Sequence, residues 1–579
     1  MSAAAGGQPG APAAGPGAPA AGPGAPAAVP RDPAALLAAG APLLAALVAF
    51  ALARSVLLPG QGFWDTGEFQ TVPPLLGTAH PTGYPSYVIL GWLASLALTP
   101  VGEPALRMNV LAALLLAAAC GLTAVLVRRL TGRTSVAVAA GLLLALTPIP
   151  WRMGAFADPH TLHLALTAGL LVVLVGWEER RRAGAAGADR WLVGAAALYG
   201  VMLGNHTLSV LLAPGIALFV LAVEPGIVRR PGFVARCAAA LLATTAVLYL
   251  QLPISAALGA PLVYGHPDTW GGFWYVVLGR QFLGDVDPFG DLGRKLGDLV
   301  ALAWRELGIL AAAVPAAFVV VAIRRPRFAL LTATWLGVTC WFAVSYTNAD
   351  IERYYLVPAL VVVAWLGVAA GLVADAAGGR AEAPAAGGRA TAGPTGAADP
   401  ARVPSGVAAG GAAAVLAGIA LAAALVLPAI LAAPATAARI DLGDDTSAAD
   451  WSRWALEAVE PDAVIVSWWS FSTPLWYRTL LLGERPDVWV VDDRDRLDED
   501  LGSVEDVIRA NLPVRPVYLV RLPEETAELA AAWQLVELPD PLGIQPLYRV
   551  VAPRSPAAGP VPPTTGALSP WPQPATIAP

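Results

Sequence analysis

The chain has few charges, few cysteines and no glycine-rich phosphate loop, and each shortage narrows what it can be. Only 13% of its 579 residues are charged, 56% are hydrophobic, and the mean hydropathy is +0.61. No water-soluble domain needs that much apolar residue. Repeated apolar runs of about 17–25 residues are the length that crosses a bilayer as helix. The three cysteines, Cys120, Cys237 and Cys340, all fall inside apolar runs. They offer neither a disulfide framework nor a metal spacing and read as small buried hydrophobes. There is no basic stripe, zinc spacing or aromatic–basic motif, so nucleic acid is excluded as a partner. The net charge of −6 says little, because the positive charges are segregated by loop. From Leu57 to Leu106 there is no Lys or Arg at all, although that stretch carries Asp65 and Glu68.

What remains is a mainly α, polytopic helical membrane protein with a small C-terminal extracytoplasmic α/β domain. The first 34 residues are an Ala/Gly/Pro repeat that cannot pack a core and read as a disordered tail. The first apolar run reads as an uncleaved signal anchor. Lys and Arg in short loops stay cytoplasmic. The basic groups Arg128–Arg129–Arg133, Arg180–Arg181–Arg182–Arg190, Arg229–Arg230–Arg236 and Arg324–Arg325–Arg327 therefore face the cytoplasm, with the linker at 376–407. Two spans are needed between neighbouring groups. The apolar runs supply eleven in all, near 35–58, 107–128, 134–151, 160–177, 191–204, 206–223, 234–252, 306–323, 328–345, 355–373 and 408–433. The transmembrane domain is 35–435, in a plasma membrane, with a cytoplasmic N-terminus and an external C-terminal region. Counting 84–100 as a further span would invert every later loop. It is read instead as a helix at the outer membrane surface, within one external loop, 59–106.

This topology collects the unusual polar residues at one end. The five histidines, His80, His160, His163, His206 and His266, lie on the outer face or within a turn of it. So do Asp65, Glu68, Asp158, Asn205, Arg280, Asp350, Glu352 and Arg353. From about 440 to 555 charges rise and apolar runs shorten. Strand-like pieces at 462–468, 487–493 and 515–521 alternate with helical patterns at 447–460, 473–483 and 503–511, the pattern of a parallel α/β layer. WQLVELP and PLYRVVAP add an edge. The aromatic cluster SWWSFSTPLWYR (467–478) has two readings, core packing or a surface that docks on the membrane domain or holds an acceptor. Residues 556–579 are a Pro-rich tail.

A carboxylate within hydrogen-bond reach of a hydroxyl can act as its general base. A low-dielectric boundary without nearby cations in sequence would raise the pKa of Asp65 and Glu68. Arg152, Arg280 and Arg353 are external cations suited to a lipid phosphate. Against this, Asp65 could cap a helix that starts at Thr66, with Glu68 at its third position. His80–Pro81 could be a turn, Asn205–His206 a helix hairpin, and 350–353 a solvated loop with a local ion pair.

The order WDTGEF, AHPTGYPSYVILGWLASLAL, LRMNVLAALLLAAACGLTAVLVRRL after a first span resembles the O-mannosyltransferase-like GT-C glycosyltransferases. More narrowly it resembles a bacterial family that also includes a vertebrate transmembrane O-mannosyltransferase. Asp65-Thr66-Gly67-Glu68, His80-Pro81-Thr82-Gly83-Tyr84-Pro85 and Arg107-Met108-Asn109 fit the family pattern, with Thr82 where the family has proline. GNHT, GGFWYVVLGRQF, ERYYLVP and PLWYRTLLLGERPDVWVV also look family-like. After Trp151 the family has Glu-Val-Tyr; here Asp158-Pro159-His160 follows. The resemblance implies a GT-C fold and inverting transfer of a sugar, mannose, from a polyprenyl-phosphate donor to a Ser/Thr hydroxyl of an exported protein, or to a glycan. It implies Asp65 as base, with Glu68 and His80 shaping the site and Arg280 or Arg353 on the lipid phosphate. Tyr84, Asp158, Asn205, His206 and Glu352 are further substrate-binding candidates. No cofactor is called for, and a divalent metal is left open. A flippase of lipid-linked sugars and a non-catalytic scaffold are the alternatives; the first would need broken polar helices at the membrane midplane.

Overall fold

The computed structural model describes residues 33–282, 286–347, 350–377 and 405–554. The expected tails at 1–34 (bar residues 33–34) and 556–579 and most of the 376–407 linker lie outside them. The chain divides into two compact units, Met1–Gly40 and Ala41–Pro579. The first contributes the start of α1 (Pro33–Arg54). Everything below concerns the second.

Ala- and Leu-rich segments make the helices, and proline starts many of them. Proline lies in the first turn of α3 (Pro85–Ala97), α4 (Pro104–Thr131) and α7 (Pro159–Arg182), where its missing N–H costs nothing. α4 ends at Gly132, whose φ of +69° gives the left-handed stop. α2 (Trp64–Leu75) precedes α3. α5 (Thr134–Leu146) and α6 (Pro148–Met153) occupy the expected 134–151 span as two pieces, because Pro148 and Pro150 interrupt it. α8 (Ala188–Asn205) stops at His206, and a 3-10 stretch, Thr207–Leu212, leads into α9 (Ala213–Val223). α10 (Pro231–Tyr249), α11 (Gln251–Ala257) and α12 (Trp270–Val277) follow. So do α13 (Leu292–Leu307), α14 (Val314–Arg324), α15 (Pro326–Ser345), α16 (Leu356–Ala377) and α17 (Ser405–Ile440).

Seven helical segments among the described residues are long and apolar enough to cross a membrane. Those centred on α4, α7 and α16 are mostly buried within the protein, while those at α10, α13–α14 and α17 leave most of their surface outward. Such exposed apolar flanks suit a lipid solvent rather than water. α3 is 13 residues, about 20 Å, against a hydrocarbon core of about 30 Å.

The C-terminal layer follows the expected alternation. Its helices are α18 (Ser447–Ala458), α19 (Trp469–Trp476), α20 (Asp493–Asp498), α21 (Val504–Asn511) and α22 (Pro523–Ala532). Its strands are β1 (Val464–Val466), β2 (Trp489–Val491), β3 (Val517–Leu519), β4 (Trp533–Leu538) and β5 (Leu547–Pro553), in the order β2-β1-β3-β5-β4. β1 pairs parallel with β2 and β3, and β5 joins antiparallel to β3 and β4. The two extra strand pieces thus form a hairpin at one edge, with β4 outermost.

This layer does not stand apart from the helices. Trp451, Phe471, Leu475 and Tyr518 share one apolar core with Phe69, Tyr84, Tyr87, Met108 and Leu162. α2 and α19 approach closely. A Cβ at Gly67 would stand 2.5 Å from the Gly62 carbonyl oxygen and 2.7 Å from Thr473 Oγ1, so that position admits only glycine without a shift. Gln61 Nε2 donates to Ser452 Oγ at 2.6 Å and the Ala448 carbonyl at 3.1 Å.

Candidate functional site

The segment between α1 and α2 is pinned by Asn109, one turn into α4. Its Nδ2 donates to the carbonyls of Leu58 (2.9 Å) and Gly60 (3.0 Å). Its Oδ1 accepts from Gln70 Nε2 (2.8 Å) and the Ala157 amide (3.0 Å). All four capacities of one buried amide are used. They fix the loop before Asp65 and the loop before Asp158 relative to each other.

α2 then presents Asp65 and Glu68, three residues apart, on one face. The residue before the helix is Phe63, which makes no side-chain cap. Asp65 spends its oxygens elsewhere. Oδ2 accepts from Arg353 Nη1 at 2.9 Å, and Oδ1 accepts from Trp469 Nε1 at 2.8 Å. The helix-cap reading of Asp65 therefore gives way. The expected raised pKa gives way too. Burial pushes the Asp65 carboxyl up, but Arg353, His80 and the Trp469 N–H outweigh it and hold it well below the usual carboxylate range. The cations were invisible locally because Arg353 lies 288 residues away in sequence.

Glu68 is fully buried and engages His80 with both oxygens: Oε1 accepts from the His80 amide at 2.6 Å, and Oε2 lies 2.5 Å from Nδ1. Burial lowers the His80 pKa, yet the Glu68 carboxylate, with Asp65 behind it, raises it overall. His80 Nε2 lies 3.1 Å from the Tyr84 hydroxyl. The HPTGYP turn thus carries a chain Glu68–His80–Tyr84. Asp65, Glu68 and His80 offer atoms within 4.8 Å of one another, the spacing of a metal ligand set. Glu68 and His80 already satisfy each other and Arg353 stands on Asp65, so the trio is charge-paired without an ion.

Asp158 N-caps α7. Its Oδ1 takes the His160 amide at 2.7 Å and Nδ1 at 2.8 Å, and its Oδ2 takes Arg353 Nη1 at 3.3 Å. Burial raises its pKa, but His160 and Arg353 outweigh that and lower it. The acid after Trp151 thus keeps a place in the site although the family tyrosine is missing. Arg353 is a bridge between the partly buried Asp65 and the buried Asp158, with Asp350 at 3.9 Å as its local partner.

Two cavities meet at this bridge. One, about 440 Å³, is lined by Gln61, Thr66, Arg152, Asp158, Glu352 and Asp445. The other, about 330 Å³, is lined by His80, Thr82, Tyr84, His160, His206 and Tyr354, with apolar walls from Leu208, Leu211, Leu278, Phe282 and Phe342. Trp64, Asp65, Asp350 and Arg353 belong to both. In the second cavity Thr82 Oγ1, His160 Nε2 and His206 Nε2 are buried with no hydrogen-bond partner among the described residues. Buried polar atoms are seldom left so, and three around one cavity suit a ligand rich in hydroxyls.

The structure sorts the sequence candidates. Asp65, His80, Tyr84, Asp158, His206, Glu352 and Arg353 line the cavities. Glu352 pairs with Arg152 at 3.3 Å and Arg305 at 2.7 Å. Glu68 and Asn205 are buried behind the walls, Asn205 Nδ2 donating to the Pro159 carbonyl at 3.0 Å. Arg280 is exposed and lines neither cavity. Sequence reasoning missed Trp469 and Arg494, both in the second cavity and both from the C-terminal layer. Only the density of tryptophan at 467–478 hinted at the first.

Residues 65–225 match the family model described as Protein O-mannosyl-transferase TMEM260 N-terminal domain. The mouse Protein O-mannosyl-transferase TMEM260 is 31% identical over 239 residues, which cover 39% of this chain and 31% of that protein. The chain thus spans under a third of the length of the curated relative it matches. Among solved structures, ArnT from Cupriavidus metallidurans bound to undecaprenyl phosphate has a TM-score of 0.52 at 15% identity, covering 89% of this chain and 97% of that one. The apo state of the same protein gives 0.55 at 15% identity, covering 89% and 98%. At that identity the likeness is one of fold alone.

Proposed function

We propose that this chain, O-mannosyltransferase-like in sequence and GT-C in fold, moves a sugar from a polyprenyl-phosphate donor to a hydroxyl of an exported protein at the outer membrane face. The observation that carries the reading is the meeting of two cavities at one carboxylate, Asp65, paired with Arg353. The sugar is mannose by analogy with the mouse relative, and the undecaprenyl phosphate on the ArnT neighbour supports a lipid-phosphate donor.

The donor occupies the cavity with apolar walls, its sugar against Thr82, His160 and His206, whose free polar atoms match hydroxyls. The acceptor enters from the other side, along Thr66 and Glu352. Its oxygen attacks the anomeric carbon as the bond to the phosphate oxygen breaks, through an oxocarbenium-like state. One displacement inverts the centre. The hydroxyl proton passes to Asp65, which is kept ionised by Arg353 and Trp469. Glu68 holds His80, and His80 holds Tyr84, so these three shape the donor wall rather than react. No nucleotide sugar and no cofactor enters the scheme.

The test is transfer from a defined polyprenyl-phosphate mannose by wild type and Asp65→Asn. The variant should lose on the order of 10²–10⁴-fold in turnover. A normally folded Asp65→Asn protein with wild-type turnover would sink the reading.

A further inference from the structure

Transfer leaves the lipid phosphate with one more negative charge than it had in the donor, and the donor cavity must meet that charge. Arg353 is committed: it bridges Asp65 and Asp158, with Asp350 beside it. Arg280 is outside the cavity. The remaining arginine on the wall is Arg494, from the C-terminal layer.

Several features hold Arg494 there without neutralising it. It forms no ion pair among the described residues. Its guanidinium lies 5.4 Å from the Trp469 ring centre, and Nη1 donates to Gln281 Oε1 at 2.5 Å. Its backbone amide donates to Asp492 Oδ1 at 2.9 Å, within the capping box Asp492–Asp495 that starts α20. Gln281 accepts Arg494 with its oxygen, while its Nε2 is buried with no partner among the described residues. A guanidinium on the cavity wall that is paired to no carboxylate among the described residues is the chemistry that recognises a phosphate. The indole of Trp469 ties the arrangement together. Its N–H holds Asp65 and its ring face carries Arg494, so base and cation sit at two ends of one side chain.

We propose that Arg494 is the phosphate-binding residue of the donor cavity, and that the C-terminal α/β layer, through Arg494 and Trp469, completes the site. This rests on the transfer reading above. In that reaction the C1–O bond to phosphate breaks, the acceptor O–C1 bond forms, the proton goes to Asp65, and the lipid monophosphate leaves against Arg494.

The test uses the purified full chain and two probes, a polyprenyl monophosphate and the matching polyprenol. The wild type should bind the monophosphate at least about tenfold tighter than the alcohol. Arg494→Ala and Arg494→Gln should each lose that preference while binding the alcohol as before, and Arg494→Lys should keep part of it. Two variants guard against one that misfolds, and unchanged alcohol binding reports the fold. Wild-type preference in both Arg494→Ala and Arg494→Gln, or no preference in the wild type, would overturn the proposal. The transfer reading fails separately: a protein that transfers no sugar yet shows Arg494-dependent monophosphate binding supports this proposal alone.

Discussion

Asp65 and Arg353 are 288 residues apart in the chain and 2.9 Å apart in the site, and that contact decides the charge state of the candidate base. The Trp469 N–H adds a hydrogen bond to the same carboxylate, a charged acceptor for which such bonds contribute about 1.5–3 kcal/mol. Trp469→Phe keeps the ring and removes the donor, so the Asp65 pKa should rise. The acid limb of the pH–rate profile should then move to higher pH, with little change at its neutral plateau. An unmoved limb would mean that Trp469 only packs. His80 gives the opposite sign. Its folded pKa is raised by Glu68 above the ordinary value of about 6.5, so the pair's contribution is complete below about pH 6.5 and is lost as pH rises through the higher folded value. The Tm difference between wild type and Glu68→Gln should therefore be largest below about pH 6.5 and shrink as the pH rises through the higher folded value. A constant difference would show that His80 is not charged in the pair. The sequence was readable here in residue type but not in partnership. The acids, His80 and Arg353 stand out as polar residues in an apolar chain, whereas their pairing depends on tertiary distance. The local lack of Lys and Arg misled the pKa reading for that reason.

At the scale of elements, what was legible followed periodicity and punctuation. Apolar runs gave the helices, and the alternation after residue 440 gave β1 to β3 with the helices between them. The interruptions were harder to place, because Pro148 and Pro150 split α5 from α6 within one apolar run. Asn109 shows how an element carries a site it does not line. It reads as part of a family motif, yet its work is to tie the loop at 58–60, α2 and the segment before Asp158 to α4. Asn109→Leu keeps the size and removes all four bonds, leaving buried backbone groups unmatched at about 1–3 kcal/mol each. The variant should lose several °C in Tm and most of its transfer activity. Asn109→Asp keeps the acceptor side but turns an oxygen onto the Leu58 and Gly60 carbonyls, so it too should lose stability. Equal stability of wild type and Asn109→Leu would show that these loops hold without it. Gly67→Ala acts between elements: its Cβ meets the Gly62 carbonyl and Thr473, so α2 must shift from α19 and Asp65 from Trp469. Transfer should fall more than stability does, as compared by turnover and Tm on one preparation.

At the scale of the whole molecule, the described residues show no clean seam between the membrane helices and the C-terminal layer, and neither composition nor the change of pattern at residue 440 announces this. The shift to charged, strand-forming sequence predicts a small α/β domain. Trp451, Phe471 and Tyr518 of that layer share a core with Phe69, Tyr84 and Met108, and α4 runs from that core at Met108 and Leu111 into the helical core at Cys120. A shared core couples unfolding, because neither half can expose its share without opening the other. Cys120 is fully buried and serves as the probe. In a chain carrying Cys237→Ala and Cys340→Ala, maleimide labelling of Cys120 on heating should begin at the same temperature as protease cleavage within 440–554. Trp451 is fully buried and donates its Nε1–H to the Gln545 carbonyl at 2.8 Å, so Trp451→Ala should remove about 3–5 kcal/mol. It should lower both temperatures together, although Cys120 lies in a different core. Cleavage of the layer well below the temperature at which Cys120 labels, with Trp451→Ala moving only the cleavage, would mean that the layer melts alone. A site that takes Asp65 from one half and Trp469 from the other would then be assembled by docking rather than by a common fold.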